Sequence, residues 1–137
     1  MRDVLFRGQS GDGEWIHGFY NFQDYAFNGE QVRRHYIRPV NAQDSVLILP
    51  ETLGQYSGRT DLKRKRIFEG DVVKLTILGG NEFITVCTFE EGAFGLRWTW
   101  QGVERFAAFT SICNSLFEVV GNIYDTPERL NEDLINE

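Results

Sequence analysis

The chain has 137 residues and a formal net charge of -6, with 42% hydrophobic and 14% aromatic residues, eleven of them Phe. That composition excludes disorder, collagen and coiled coil, and the length suits one domain or two small ones with a core that needs no disulfide staples. The acidity is concentrated at the end, where Glu118, Asp125, Glu128, Glu132, Asp133 and Glu137 face a single base, Arg129, so the nearly neutral body projects no broad positive field of the kind a dedicated nucleic-acid binder uses.

In chain order, Leu5-Phe6-Arg7 leads through a glycine-rich loop, Gly8 to Gly13, into the extended run Trp15 to Tyr20, the pattern of a hairpin. Asn28-Gly29 is the strongest two-residue turn signal and separates Tyr25-Ala26-Phe27 from Val32 to Ile37, a run that Pro39 ends by removing a ladder donor. Ser45 to Pro50 is apolar almost throughout, consistent with a buried strand or a short covering segment. Asp71 to Ile77 and Phe83 to Phe89 read as strands joined around Gly79-Gly80-Asn81, and Glu91-Gly92 turns the chain again. From there Phe94, Leu96, Trp98 and Trp100 share one parity, which predicts an inward face. Gln101-Gly102 leads to Val103-Glu104-Arg105-Phe106, and Leu116 to Tyr124 is extended, with Gly121-Asn122 suggesting a bulge. The end alone looks helical: Thr126 is a fair N-cap, Pro127 suits the first helical position, and Leu130 and Leu134 make a narrow apolar stripe. The expectation is a mainly β antiparallel protein with a short C-terminal helix.

Residues that carry chemistry are scarce. His17 and His35 lie apart, Cys87 and Cys113 have no close metal-binding neighbour and read as buried thiols, and no HExxH, GxSxG or phosphate-loop pattern occurs. The expectation is no catalytic residue, no metal and no cofactor. Neither a secretory leader nor a run of about 20 apolar residues is present, which predicts a cytoplasmic protein that binds no membrane. Two basic clusters remain. One is Arg33-Arg34 with Arg38; the other is Arg59 with Lys63, Arg64, Lys65 and Arg66, the candidate interaction surface. The plainer reading of the second cluster is a solvated loop whose cations answer nearby acids such as Glu69, Asp71 or the acidic tail; as an interaction surface it suits an acidic protein surface, with nucleic acid as the alternative partner. Uncovered strand edges and aromatics also allow self-association into a homo-oligomer.

Two stretches resemble the YopX family of phage and prophage proteins. The first runs from Pro50-Glu51-Thr52-Leu53-Gly54-Gln55-Tyr56-Ser57-Gly58 through Asp61 to Ile67-Phe68-Glu69-Gly70-Asp71-Val72-Val73, and the second from Phe117 through Gly121-Asn122-Ile123-Tyr124 to Glu128. The resemblance implies a β-rich N-terminal subdomain (1–55) and a small SH3-like β-barrel subdomain (56–137), with no known catalytic residue, cofactor or substrate, in a bacterial host cell. The expected function is a non-catalytic binding or assembly module with a phage, host or self protein as partner; an enzyme whose site assembles only in space is a further alternative. Where the family tends to an Asn-Gly turn this chain carries Lys63-Arg64, which predicts a looser turn there.

Overall fold

A computed structural model describes residues 4–128, so most of the C-terminal helix expected from Thr126 onward lies outside the described residues. The chain is mainly β, with two antiparallel sheets, and divides into two compact units, Met1–Tyr56 and Ser57–Glu137.

The first unit contains β1 (Phe6–Gln9), β2 (Trp15–Phe27), β3 (Glu30–Pro39), β4 (Val46–Leu47) and the first part of β5 (Leu49–Thr60), hydrogen-bonded in the order β4-β3-β2-β1-β5. Asn28 and Gly29 both take positive φ, 49° and 80°, so β2 and β3 meet through the two-residue turn whose twist matches that of the strands. From Gly18↔Pro39 to Phe27↔Glu30 their register runs without a bulge. Leu5, Ile37, Ile48 and Tyr56 form the buried apolar part of this unit. Thr52 is buried with them, its hydroxyl donating to Leu49 O (2.6 Å) and accepting from the Gln9 amide (2.8 Å), so a polar side chain inside the unit is fully used.

In the second unit the end of β5 pairs with β6 (Arg66–Phe68), and a five-stranded sheet follows: β7 (Asp71–Thr76), β8 (Glu82–Glu90), β9 (Ala93–Trp100), β10 (Val103–Ala108) and β11 (Leu116–Asn122), in the order β10-β9-β8-β7-β11. Glu91-Gly92 and Gln101-Gly102 are two-residue turns of the same positive-φ kind as Asn28-Gly29. One 3-10 turn, Phe109–Ser111, carries the chain from β10 to β11 at the far edge, beside β7. That order is linear, and no closed barrel is found. The expected SH3-like closure would need β10 and β11 to pair, and no such pairing occurs among the described residues.

The core of this unit is Ile67, Val73, Leu75, Cys87, Leu96 and Phe109. The parity read along β9 holds for its first three members: Leu96 is fully buried, and Phe94 and Trp98 are half-buried. It fails at Trp100, which is 38% exposed at the turn end and meets Phe83 edge-on at 5.5 Å. Cys113 is also a correction: Cys87 is buried as expected, but Cys113 is exposed, because it lies in the connection after the 3-10 turn rather than on a strand. The bulge expected in the last strand is present, between Val119 and Gly121. The corner is tied by Asn122, whose side-chain oxygen accepts from the Tyr124 and Asp125 amides (2.9 and 2.8 Å). Thr126 returns the tie, its hydroxyl accepting from the Asn122 amide at 2.9 Å.

Candidate interaction surface

The basic cluster singled out in the sequence sits on and around the β5–β6 hairpin, where Arg59 and Lys63 both have partners close by. Arg59 donates to Phe109 O (3.3 Å) and lies over the Phe109 ring. Lys63 reaches Glu118 at 3.0 Å, and Lys74 reaches the same carboxylate at 3.3 Å. Hydrogen bonding from Lys63, then from Lys74, holds the Glu118 carboxyl below its ordinary value. Arg64, Lys65 and Arg66 are exposed.

The hairpin itself is tighter than its sequence suggests. Arg64 takes the left-handed conformation a glycine or asparagine would normally supply (φ 65°). Asp61 makes this possible. One carboxylate oxygen accepts the amides of Lys63 and Lys65, both at 2.8 Å, and the other accepts the Val119 amide at 3.0 Å. Burial by itself would raise the Asp61 pKa, but the three amides, led by Val119, outweigh it and hold the carboxyl below its ordinary 3.8. The carboxylate thus replaces the missing turn residues and joins the loop to β11.

A second surface is more extensive. β1 pairs with β2 only as far as Gly18, and β4 pairs with β3 only at Tyr36 and Ile37. Beyond those points Phe19–Phe27 and Glu30–His35 continue as a two-stranded arm, about 25–30 Å long at the usual strand rise. Its strands carry aromatics on both parities, so neither face is polar. On one face Tyr20 stacks on His35 and bonds its Nδ1 (2.6 Å), while Arg33 lies 4.0 Å over the Phe22 ring and pairs with Asp24 at 2.8 Å. On the other, Arg38 lies over Phe19 and Arg34 over Tyr25, and the Tyr25 and Tyr36 hydroxyls meet at 3.2 Å. Phe22 (47%) and Phe27 (65%) are among the most exposed aromatics of the chain. Near the tip a cavity of about 220 Å³ is lined by Tyr25, Ala26, Phe27, Val32 and Arg34.

Sequence reasoning placed only the Phe94 to Trp100 parity and did not single out this surface, although it weighed Arg33, Arg34 and Arg38 as a basic cluster. The available signal was the parity itself: Phe19, Tyr25 and Phe27 fall on one face and Tyr20 and Phe22 on the other, which no one-sided strand does.

The second unit also holds an apolar cleft of about 420 Å³, lined by Leu75, Ile77, Phe83, Trp98 and Ile112 with Cys113 at its side. No carboxylate or imidazole lines it. Among the described residues no group of three or more His, Cys, Asp or Glu side chains is placed to hold a metal ion, and no helix is long and apolar enough to cross a membrane.

These features define a mainly β chain of two antiparallel sheets in which a long hairpin carries a group of exposed aromatic rings with arginines laid over them. The chain belongs to the YopX family: the family model, described as YopX protein, matches residues 9–131. Among curated proteins and among solved structures nothing matches it.

Proposed function

We propose that this protein is a non-catalytic binding or assembly module that engages a protein partner through the β2–β3 arm. The observation that carries the reading is the run of arginines laid over exposed rings, Arg33 on Phe22, Arg34 on Tyr25 and Arg38 on Phe19. Arginine and large aromatics are the side chains that dominate binding energy at protein interfaces, because they bury much area for few lost rotamers and pair with many groups. A two-stranded ribbon is at best marginally stable in water, so an arm of this length gains most when something covers it. The exposed Arg64, Lys65 and Arg66 offer a second contact for acidic groups.

The family resemblance supports an SH3-like barrel for the second unit and a phage or prophage setting in a bacterial cytoplasm. A four-strand meander whose fifth strand returns beside the first, as β7 to β11 do, is compatible with such a barrel if β10 and β11 approach in solution.

The test is affinity capture from lysogenic or phage-infected bacterial cells with the wild-type chain and a Tyr25→Ser, Phe27→Ser, Arg34→Ser variant. Loss of a wild-type partner by a variant that keeps its melting temperature supports the reading. Retention of every partner, turnover of a substrate by the purified protein, or oligonucleotide binding abolished by charge reversal at Arg64, Lys65 and Arg66 rejects it.

A further inference from the structure

The arm has two outer edges, and they differ in what they offer. The Ile48 amide donates to His35 O at 3.0 Å, so the His35 backbone faces β4. In an antiparallel ladder each residue directs its N–H and C=O to one side, and cross-strand partners that turn their backs on each other form the non-hydrogen-bonded pairs. His35 pairs with Phe22. Phe22 therefore directs its own N–H and C=O away from β3, and because the register is unbroken Tyr20, Asp24 and Ala26 do the same. Beyond Gly18 no strand pairs with this side of β2 among the described residues.

Natural sheet edges are guarded by lysine, proline, bulges or clustered like charges. The outer edge of β3 has such guards in Arg33, Arg34, Arg38 and Pro39. From Phe19 to Phe27 β2 has none: no lysine, arginine or proline, no bulge, and one charge, Asp24, already paired with Arg33. Four consecutive outward backbone positions without a guard suit pairing with an identical strand.

We propose that the β2 edge is a self-association site, at which a second copy of this chain adds its own β2 antiparallel across a twofold axis at Gln23. This rests on the reading of the arm as a binding surface and names one partner for it. The axis position follows from the groups to be satisfied. With Gln23 opposite Gln23, Phe22 pairs with Asp24 and Tyr20 with Ala26 in both directions, and every outward N–H and C=O of the four residues finds a partner. An axis at Asp24 sets two carboxylates face to face, which like-charge pairing disfavours. An axis at Phe22 drives the strand residue Ala26 against Gly18, whose edge β1 already occupies, whereas at Gln23 only the turn residue Asn28, past the end of β2, comes level with Gly18. In the Gln23 register Phe19 of one copy faces Phe27 of the other, and Asn21 faces Tyr25, so aromatic side chains meet across the new seam.

The pairing is tested by cysteine cross-linking in a Cys113→Ser background, since Cys87 is buried. Across a non-hydrogen-bonded pair Cα atoms lie about 4.5 Å apart, within disulfide range, whereas two Asn21 positions would be separated by roughly 13 Å. Gln23→Cys is expected to give mainly cross-linked dimer under mild oxidation at micromolar concentration. Asn21→Cys by itself is expected to give little, and a mixture of Asn21→Cys and Tyr25→Cys chains to cross-link between the two. Light scattering of the uncross-linked wild type should show a concentration-dependent dimer. A wild type that stays monomeric, or Asn21→Cys cross-linking as well as Gln23→Cys, overturns the pairing. A monomer whose Tyr25/Phe27/Arg34 variant still loses a captured partner overturns the pairing alone. Specific Gln23 cross-linking with capture unaffected by that variant upholds the pairing and overturns the wider reading of a module for other proteins.

Discussion

Replacing Asp61 by alanine removes the group that holds the β5–β6 turn and ties it to β11. Asp61 is 7% exposed, and its carboxylate accepts three backbone amides, at 2.8, 2.8 and 3.0 Å. Hydrogen bonds to a charged group contribute about 1.5–3 kcal/mol each, but the Lys63 and Lys65 amides lie in an exposed turn and can be rehydrated, so they are worth about 0.5–1 kcal/mol apiece. The Val119 amide is half-buried and is left without its acceptor, a loss of about 2 kcal/mol. The total is about 3–4 kcal/mol, less whatever the turn recovers by relaxing. Asp61→Asn keeps one neutral acceptor for the turn amides but presents its NH2 to Val119, and should lose about half as much. Urea unfolding followed by tryptophan fluorescence, at constant slope, measures both. The loss should depend on pH in a definite direction. The folded pKa of Asp61 is depressed, so its contribution is fully present above the ordinary 3.8 and disappears as the pH falls through the lowered folded value. Wild type and Asp61→Ala should therefore converge in stability in strong acid. A loss below about 1 kcal/mol at neutral pH, or a gap that stays constant down through the acid range, refutes the account of the carboxylate as an amide-bound anion.

Arg64→Gly should stabilise the chain by about 0.5–1 kcal/mol, because Arg64 holds φ 65° where glycine is unstrained, and an unchanged urea midpoint would count against it. Gly95→Ala should destabilise by about 1–3 kcal/mol, since a methyl group there would press on the backbone of β10 at Ala107 and Ala108; thermal unfolding of the variant would show it, and a neutral result would mean that β10 moves away freely. Glu90 should titrate at about 2 in a carbonyl-detected NMR experiment, held down first by the Arg97 guanidinium and then by the Thr88 hydroxyl, so its contribution is present above 4.5 and lost as the pH falls toward 2. A midpoint in the ordinary glutamate range would show that the pair does not persist in solution.

Strand identity was written locally. Asn28-Gly29, Glu91-Gly92 and Gln101-Gly102 mark turns because positive φ is easy for few residues, and alternation along β9 marks Leu96 as core because a pleated strand sends alternate side chains to opposite faces. The two long motifs around residues 50–73 and 117–128 placed the chain in its family for the same local reason: contiguous residues can be read without knowing what they touch.

What the sequence did not contain was the pairing. Trp100 and Cys113 look as apolar in the chain as Trp98 and Cys87 do, yet one pair is exposed and the other is not, because burial depends on which strand or turn lies opposite. Lys63-Arg64 promises a loose loop until the Asp61 carboxylate and the Val119 amide, 58 residues apart, are brought together. The aromatics from Phe19 to Phe27 form an exposed arm, and not a core strand, only because β1 stops pairing at Gly18 and β4 reaches no further than Tyr36. Propensity and parity are properties of neighbours along the chain, whereas exposure and free hydrogen-bonding edges are settled by non-local strand pairing, and only the tertiary structure decides where that pairing ends.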